Sequence, residues 1–161
     1  MSDLRVGWGF DAHRFGGSPP LVLGGVVASD DMGVEATSDG DVAVHAIIDA
    51  ILGAAALGDL GSFFPSSDSR WHHADSLDLL AIALGEALSA GWSVDFVDVT
   101  VICQDVRIAP IREEMRSRIS RALGLGTESV SVKATTTDRL GFIGEGDGLA
   151  AAATVTVVRT P

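Results

Sequence analysis

The chain has 161 residues, 47% hydrophobic and 20% charged, with a formal net charge of −11. That length and balance describe one soluble domain with a sizeable core. The negative charge argues against global attraction to nucleic acid or an anionic membrane, though a local cationic pocket remains compatible with phosphate. A single cysteine, Cys103, excludes an intramolecular disulfide and a Cys-only zinc cluster. No apolar run is long enough to span a membrane. Residues 1–6 carry neither a signal-peptide core nor a transit segment, so a cytoplasmic location is expected. No linker, repeat or low-complexity segment interrupts the chain, and residues 1–161 are expected to form a single domain.

Residues 6–10 read as a strand ending at Asp11. Residues 21–27 read as a second strand after a Gly-Gly-Ser-Pro-Pro turn, and the two are candidates for a hairpin. Ser38 is the expected N-cap of a helix running to about residue 57, with Asp39 and Asp41 at its positive end. Residues 58–61 break that helix, and 64–75 read as a loop. Asp75-Ser76 caps a second helix over 77–90, with Leu80, Leu84 and Leu88 inward. Residues 94–103 alternate like a strand. Pro110 opens a third helix, in which Ile111, Met115, Ile119 and Leu123 recur at spacing four, and Gly124 or Gly126 closes it. Residues 130–135 and 149–158 are the last strands. The order β-β-α-α-β-α-β-β predicts an α+β two-layer sandwich, with a mostly antiparallel sheet and helices on one face.

Three groups of residues carry chemistry. Asp41, His45 and Asp49 recur every four residues, so a helix sets them in one stripe on an otherwise apolar surface. Left buried without partners, such groups cost roughly 1–3 kcal/mol each; a metal ion would satisfy them. Upstream, Asp11 and His13 share one face of an extended segment. Asp11, His13 and His45 together form a three-ligand set suited to zinc with an open fourth position, with Asp41 and Asp49 either supporting the ligands or serving as groups on the helix face. The same residues also read as a polar turn beside a hydrogen-bonded helix histidine. The second group is 133–142, where three consecutive threonines suit phosphate oxygens and Asp138 suits a phosphate-bridging magnesium ion. It also reads as an ordinary threonine-rich strand end. The third is Gly58-Asp59-Leu60-Gly61 with Phe64-Pro65-Ser66-Ser67-Asp68. Its glycines let backbone approach a ligand, or simply close a helix. His72 and His73 read as exposed, and 144–148 as a turn.

The Gly7-Trp8-Gly9-Phe10-Asp11-Ala12-His13 opening, the 38–53 helix, the 58–61 loop and the 134–142 strand end occur in an order and spacing that resemble the 2-C-methyl-D-erythritol 2,4-cyclodiphosphate synthase family over nearly the whole chain. The resemblance implies a homotrimer with active sites at subunit interfaces. It implies a lyase of the non-mevalonate route to isoprenoids, which cyclises 4-diphosphocytidyl-2-C-methyl-D-erythritol 2-phosphate and releases CMP. The implied zinc ligands are Asp11, His13 and His45. Asp138 stands where the family, usually through Glu, holds a second metal, magnesium or manganese. Asp59 and Gly61 match residues that hold the methylerythritol moiety, and Ser38, Phe64, Asp68 and Phe142 join the implied substrate contacts. Cys103 to Ala109, including Arg107 and Ile108, matches the cytidine loop, completed by Ala134 and Thr135. Thr136 matches a threonine that stabilises the transition state. The implied attack of the 2-phosphate on the β-phosphorus needs no protein nucleophile, only positioning and charge neutralisation.

Four positions depart from the family pattern. Thr37 stands where a second transition-state stabiliser, a histidine, is usual, and Ser66 where an aspartate often follows Phe-Pro. Val106-Arg107 replaces Pro-Lys in the cytidine loop, and Glu145 replaces an arginine near the threefold axis. Thr37, Ser66 and Glu145 support an alternative: a catalytically weakened zinc-binding homologue acting as a nucleotide- or ligand-binding trimer. The triad alone also fits a generic zinc hydrolase.

Overall fold

The computed structural model describes residues 3–160; Met1, Ser2 and Pro161, the ends of the expected 1–161 domain, lie outside the described residues. Four strands form the main sheet in the order β1-β6-β4-β5, from β1 (Leu4–Arg14), β4 (Trp92–Ile102), β5 (Val130–Thr135) and β6 (Gly148–Arg159). β6 is antiparallel to both β1 and β4, whereas β4 and β5 are parallel, so the sheet is mixed. The parallel step follows from the connection: α4 (Arg112–Leu123) carries the chain back between β4 and β5. Among the described residues, no helix is long and apolar enough to cross a membrane.

The expected hairpin between the first two strands does not form. β1 continues past Asp11 to Arg14 and pairs with β6 instead. Residues 21–27 are not one strand but part of a small separate hairpin, β2 (Leu21–Leu23) and β3 (Val26–Ser29). Gly24 and Gly25 turn it with φ of +59° and +74°, a conformation that penalises any residue with a Cβ.

The helices α1 (Val42–Ala55) and α3 (Ser76–Ser89) pack with α4 against the sheet. Val97, Val99 and Val101 of β4 and Val155 and Val157 of β6 alternate inward to meet Ile47, Ile51, Leu80, Met115 and Ile119. The inner face of α3 is Leu79, Leu80, Ala83 and Ala87; Leu84 is half-buried and Leu88 is 46% exposed, contrary to the spacing-four reading. Small side chains win those inward positions because α3 lies close to α1. Two short elements interrupt the expected loop region: α2 (Leu60–Phe63) and a 3₁₀ turn over Ser69–Trp71. A last short helix, α5 (Gly141–Gly144), precedes β6.

One contact positions everything that follows. Gly7 and Gly9 of β1 face α1, and a Cβ on either would fall on the backbone carbonyl of Ala50 or Ala46. The two glycines therefore let α1 lie almost on the strand. Alternation puts Asp11 and His13 on that same face of β1, and puts Trp8, Phe10, Val6 and Leu4 on the other. That second face is open: Leu4, Val6 and Trp8 are 57%, 60% and 66% exposed.

Candidate active site

The close packing of β1 on α1 brings Asp11, His13 and His45 together. Asp11 Oδ2 lies 3.0 Å from His13 Nε2 and 2.9 Å from His45 Nδ1, and the two nitrogens are 3.3 Å apart. An ion held tetrahedrally at about 2.0–2.1 Å sets its ligand atoms roughly 3.3 Å from each other. The three atoms thus already stand at nearly that spacing, and the donor set, two imidazoles and a carboxylate, fits zinc. Among the described residues they are the one His/Cys/Asp/Glu group with ligand atoms so close.

The far side of the His45 ring is also held. Its Nε2 lies 2.9 Å from Ser76 Oγ and 3.1 Å from Ser38 Oγ, and the Ser76 hydroxyl donates a short hydrogen bond to Asp39 Oδ1. Because Ser76 spends its proton on Asp39, its oxygen is left to accept from His45 Nε2–H. That fixes one proton on Nε2, so Nδ1, which faces Asp11, is the nitrogen that would give up its proton to a metal. Burial alone raises the Asp11 pKa, but hydrogen bonds from His13 and His45 overcome this and hold it well below the usual carboxylate range. Burial lowers the His45 pKa, yet the Asp11 hydrogen bond and charge raise it more, and the net shift is upward.

Sequence reasoning missed Ser76 and Asp39 as supports. Their signal was present as a serine that is fully buried at the first helical position of α3, but the pair Asp75-Ser76 read only as a cap. Of the two roles open to Asp41 and Asp49, the structure favours the helix over the ligands, since neither carboxylate binds a ligand atom. Asp41 is the true N-cap of α1 in place of Ser38, and it accepts the N–H groups of Val44, Gly24 and Gly25. It thereby ties the β2–β3 hairpin to the start of the helix, and burial pushes its carboxyl up to about 6 despite those bonds. Asp49 accepts from Leu60 N at 2.8 Å and fixes where α2 begins.

A cavity of about 230 Å³ opens over the triad. Thr37, Ser38, Gly61, Phe64 and Ser66 line it, with Trp71 as an aromatic wall. Asp59 and Asp68 stand apart from its lining. Asp59 caps α2, with its carboxylate taking Ser62 N and Oγ at 2.8 and 2.6 Å, and Asp68 is forked onto the Arg70 guanidinium. His72 and His73 are exposed.

A second cavity, about 210 Å³, shares no lining residue with the first. Here the structure gathers Cys103, Arg107, Ile108 and Ala109 from the loop after β4 with Ala134, Thr135 and Thr136 from the end of β5. The register explains it: Val101 pairs with Ala134 and Ile102 with Thr135, so the two chain segments leave the sheet side by side. Asp138 follows on the same loop. It is exposed, has φ of +54°, and its N–H binds Thr136 Oγ1 at 3.3 Å; within one chain it does not join the triad. Phe142 is 48% exposed on α5 and borders neither cavity. Glu145 is exposed and, among the described residues, forms no ion pair.

Residues 4–158 match the model of the YgbB family. A 2-C-methyl-D-erythritol 2,4-cyclodiphosphate synthase of Erwinia tasmaniensis is 47% identical over 97% of this chain and 99% of its own length. The chain belongs to the family of 2-C-methyl-D-erythritol 2,4-cyclodiphosphate synthases. Solved structures agree. The bifunctional IspDF of Campylobacter jejuni superposes with a TM-score of 0.96 at 39% identity, over 99% of this chain and 43% of that longer one. An IspF of Plasmodium falciparum in complex with CDP gives 0.84 at 31% identity, over 98% and 97% of the two chains. The triad cavity and the Cys103–Thr136 cavity hold most of the candidate residues of this chain.

Proposed function

We propose that this chain cyclises 4-diphosphocytidyl-2-C-methyl-D-erythritol 2-phosphate to 2-C-methyl-D-erythritol 2,4-cyclodiphosphate with release of CMP, as a single domain spanning residues 1–161. The observation that carries the reading is the triad Asp11, His13 and His45, preset at metal-ligand spacing in the floor of a cavity. Neither the weakened homologue nor the generic hydrolase gains support, because the metal triad is complete and, among the described residues, no carboxylate or imidazole outside the triad lines its cavity to act as a hydrolytic base.

Asp11, His13 and His45 would hold zinc, and Asp138 would hold magnesium or manganese. Such ions, when bound, neutralise phosphate charge and polarise the phosphorus under attack. The protein's own share is positioning. Ser38, Gly61 and Phe64, which line the triad cavity, would hold the methylerythritol end, with Asp59 and Asp68 beside them on the same segment of chain. Cys103, Arg107, Ile108, Ala109, Ala134 and Thr135 would take the cytidine nucleotide, Phe142 would join the substrate contacts only in the assembly, and the CDP held by the Plasmodium relative supports a cytidine ligand. Thr136 and Thr37 donate hydrogen bonds to phosphate oxygens as charge builds there.

One substrate must reach both cavities, yet they share no residue in a single chain. A homotrimer resolves this by joining the triad of one subunit to the nucleotide loop of the next. The unpartnered face of β1, with Leu4, Val6, Trp8 and Phe10 outward, supplies the apolar surface such an assembly would cover.

The test is direct. Purified protein with zinc, magnesium and the cytidyl substrate should release CMP and no inorganic phosphate. Nucleotide binding without CMP release would restore the weakened-homologue reading, and inorganic phosphate would restore hydrolysis.

A further inference from the structure

Two consecutive residues that are not glycine, Asp138 and Arg139, take left-handed backbone, with φ of +54° and +63°. That conformation crowds Cβ against the next carbonyl oxygen; aspartate tolerates it through its short polar side chain, and arginine has no such relief. Such strain persists only where the surroundings impose it. Part of the support is local. The Asp138 N–H binds Thr136 Oγ1 at 3.3 Å, the Leu140 N–H binds the Thr137 carbonyl at 3.0 Å, and the Thr137 hydroxyl donates to the Leu140 carbonyl at 2.7 Å. Gly144 lets the turn close, since a Cβ there would fall on the Arg139 backbone.

One bond comes from elsewhere. The Arg139 N–H donates to Gln104 Oε1 at 3.1 Å, across 35 residues of chain. Among the described residues, every other hydrogen bond of 136–140 stays between 135 and 144. A backbone N–H demands an acceptor, so the side chain at 104 must present an oxygen here. Gln104 belongs to the loop after β4, and the bond ties that loop to the turn carrying Asp138. An aspartate has only two side-chain torsions, so its carboxylate follows its backbone closely. We propose that Gln104 is a positioning residue: by holding the Arg139 N–H it keeps the turn left-handed and aims the Asp138 carboxylate at the second divalent cation. This rests on the reading that Asp138 holds that cation.

Manganese binding to the full, zinc-loaded chain with CDP present, followed by electron paramagnetic resonance, tests the two levels separately. Asp138→Asn should weaken it strongly; if binding is unchanged, the cation reading is wrong whatever Gln104 does. With that reading upheld, Gln104→Met, close in length but without an acceptor, should weaken manganese about tenfold. Its zinc content, and its CDP affinity without manganese, should stay as they are. Gln104→Asn, the milder variant, should give a smaller loss of the same kind, because its amide falls one methylene short. Gln104→Glu keeps an acceptor and should bind manganese at least as well as the native chain. Glycine takes left-handed backbone freely, so Arg139→Gly added to Gln104→Met should recover most of the loss. In turnover, Gln104→Met should lower kcat at low manganese and regain it when manganese is raised, with KM for the cytidyl substrate little changed. A weaker CDP affinity without manganese would make Gln104 a nucleotide contact and overturn the assignment. So would a glutamate variant as weak as the methionine one, or unchanged manganese affinity in both the methionine and asparagine variants.

Discussion

The two cavities are built on opposite plans. Over the triad, the ligands and the acids behind them are all partnered: His45 is held at both ring nitrogens, and Asp39, Asp41 and Asp49 each secure a neighbouring segment, while Trp71 Nε1 in the wall is a buried donor without a partner. Its ligands stand on a strand and a helix pressed together at two glycines. The second cavity is made by two loops, much of its lining is exposed, and an arginine in its wall lacks an acceptor. The first site is preorganised within one chain; in the proposed homotrimer the second would be completed from outside, by ligand and by a neighbouring subunit. Metal binding should therefore be a property of the subunit, and catalysis a property of the assembly.

The sharpest way to break that comparison is to split the two functions between chains. His45→Ala should remove bound zinc and all measurable activity while leaving the assembly intact; full zinc occupancy by elemental analysis would exclude His45 as a ligand. Mixed with an inactive Ala134→Trp chain under subunit exchange, it should regain activity, because about a quarter of randomly formed interfaces pair two intact halves. No recovery would place both halves of the site in one subunit.

A smaller effect is expected at Thr37, which lines the triad cavity half-buried. A donor placed where charge develops contributes roughly 2.7–4 kcal/mol to lowering a barrier. Thr37→His should raise kcat by up to about a hundredfold with little change in KM. A lower kcat would show that this chain relies on another group.

Next comes the support behind His45. Ser76→Ala removes the hydroxyl between Asp39 and Nε2 and should weaken zinc binding about tenfold, the lower end for a partner that orients a metal ligand. Competition against a chelator measures it, and an unchanged zinc affinity would mean that Ser38 holds the ring alone. The last effect is graded by pH and needs no substitution. The His45 pKa is raised in the metal-free fold, so the ring keeps a proton where a free histidine has lost it. Zinc must displace that proton, and apparent affinity should rise about tenfold per pH unit until the raised pKa is passed. A flat profile between about pH 6 and 8 would mean no proton is displaced.

What was legible in the sequence follows the same division. Short-range patterns read well. The i, i+4 series of α4 ended at Gly124, with φ of +68°, and Asp75 capped α3 as expected. The ligand triad was legible because alternation on β1 and helical spacing on α1 are local rules. Pairing was not. Nothing within residues 4–14 says that their partner is the last strand and not the next one. The fate of Asp41 was hidden for the same reason, since its carboxylate serves a turn 16 and 17 residues upstream, and distance in sequence carries no spacing rule. Arg112, in the wall of the second cavity, was overlooked because an arginine in a helix beside Glu113 and Glu114 reads as a solvated charge until its missing partner is seen.

The three tryptophans stand in three distinct settings: Trp8 on the open sheet face, Trp71 in the wall of the triad cavity, and Trp92 buried beneath the guanidinium groups of Arg5 and Arg159. The chain consequently carries its own optical reporters. Covering the sheet face would shift the emission of Trp8 to shorter wavelength, filling the triad cavity would alter the quenching of Trp71, and Trp92 would stay constant until the fold is lost. Single-tryptophan variants would let association, ligand entry and unfolding be followed as three independent signals in one cuvette.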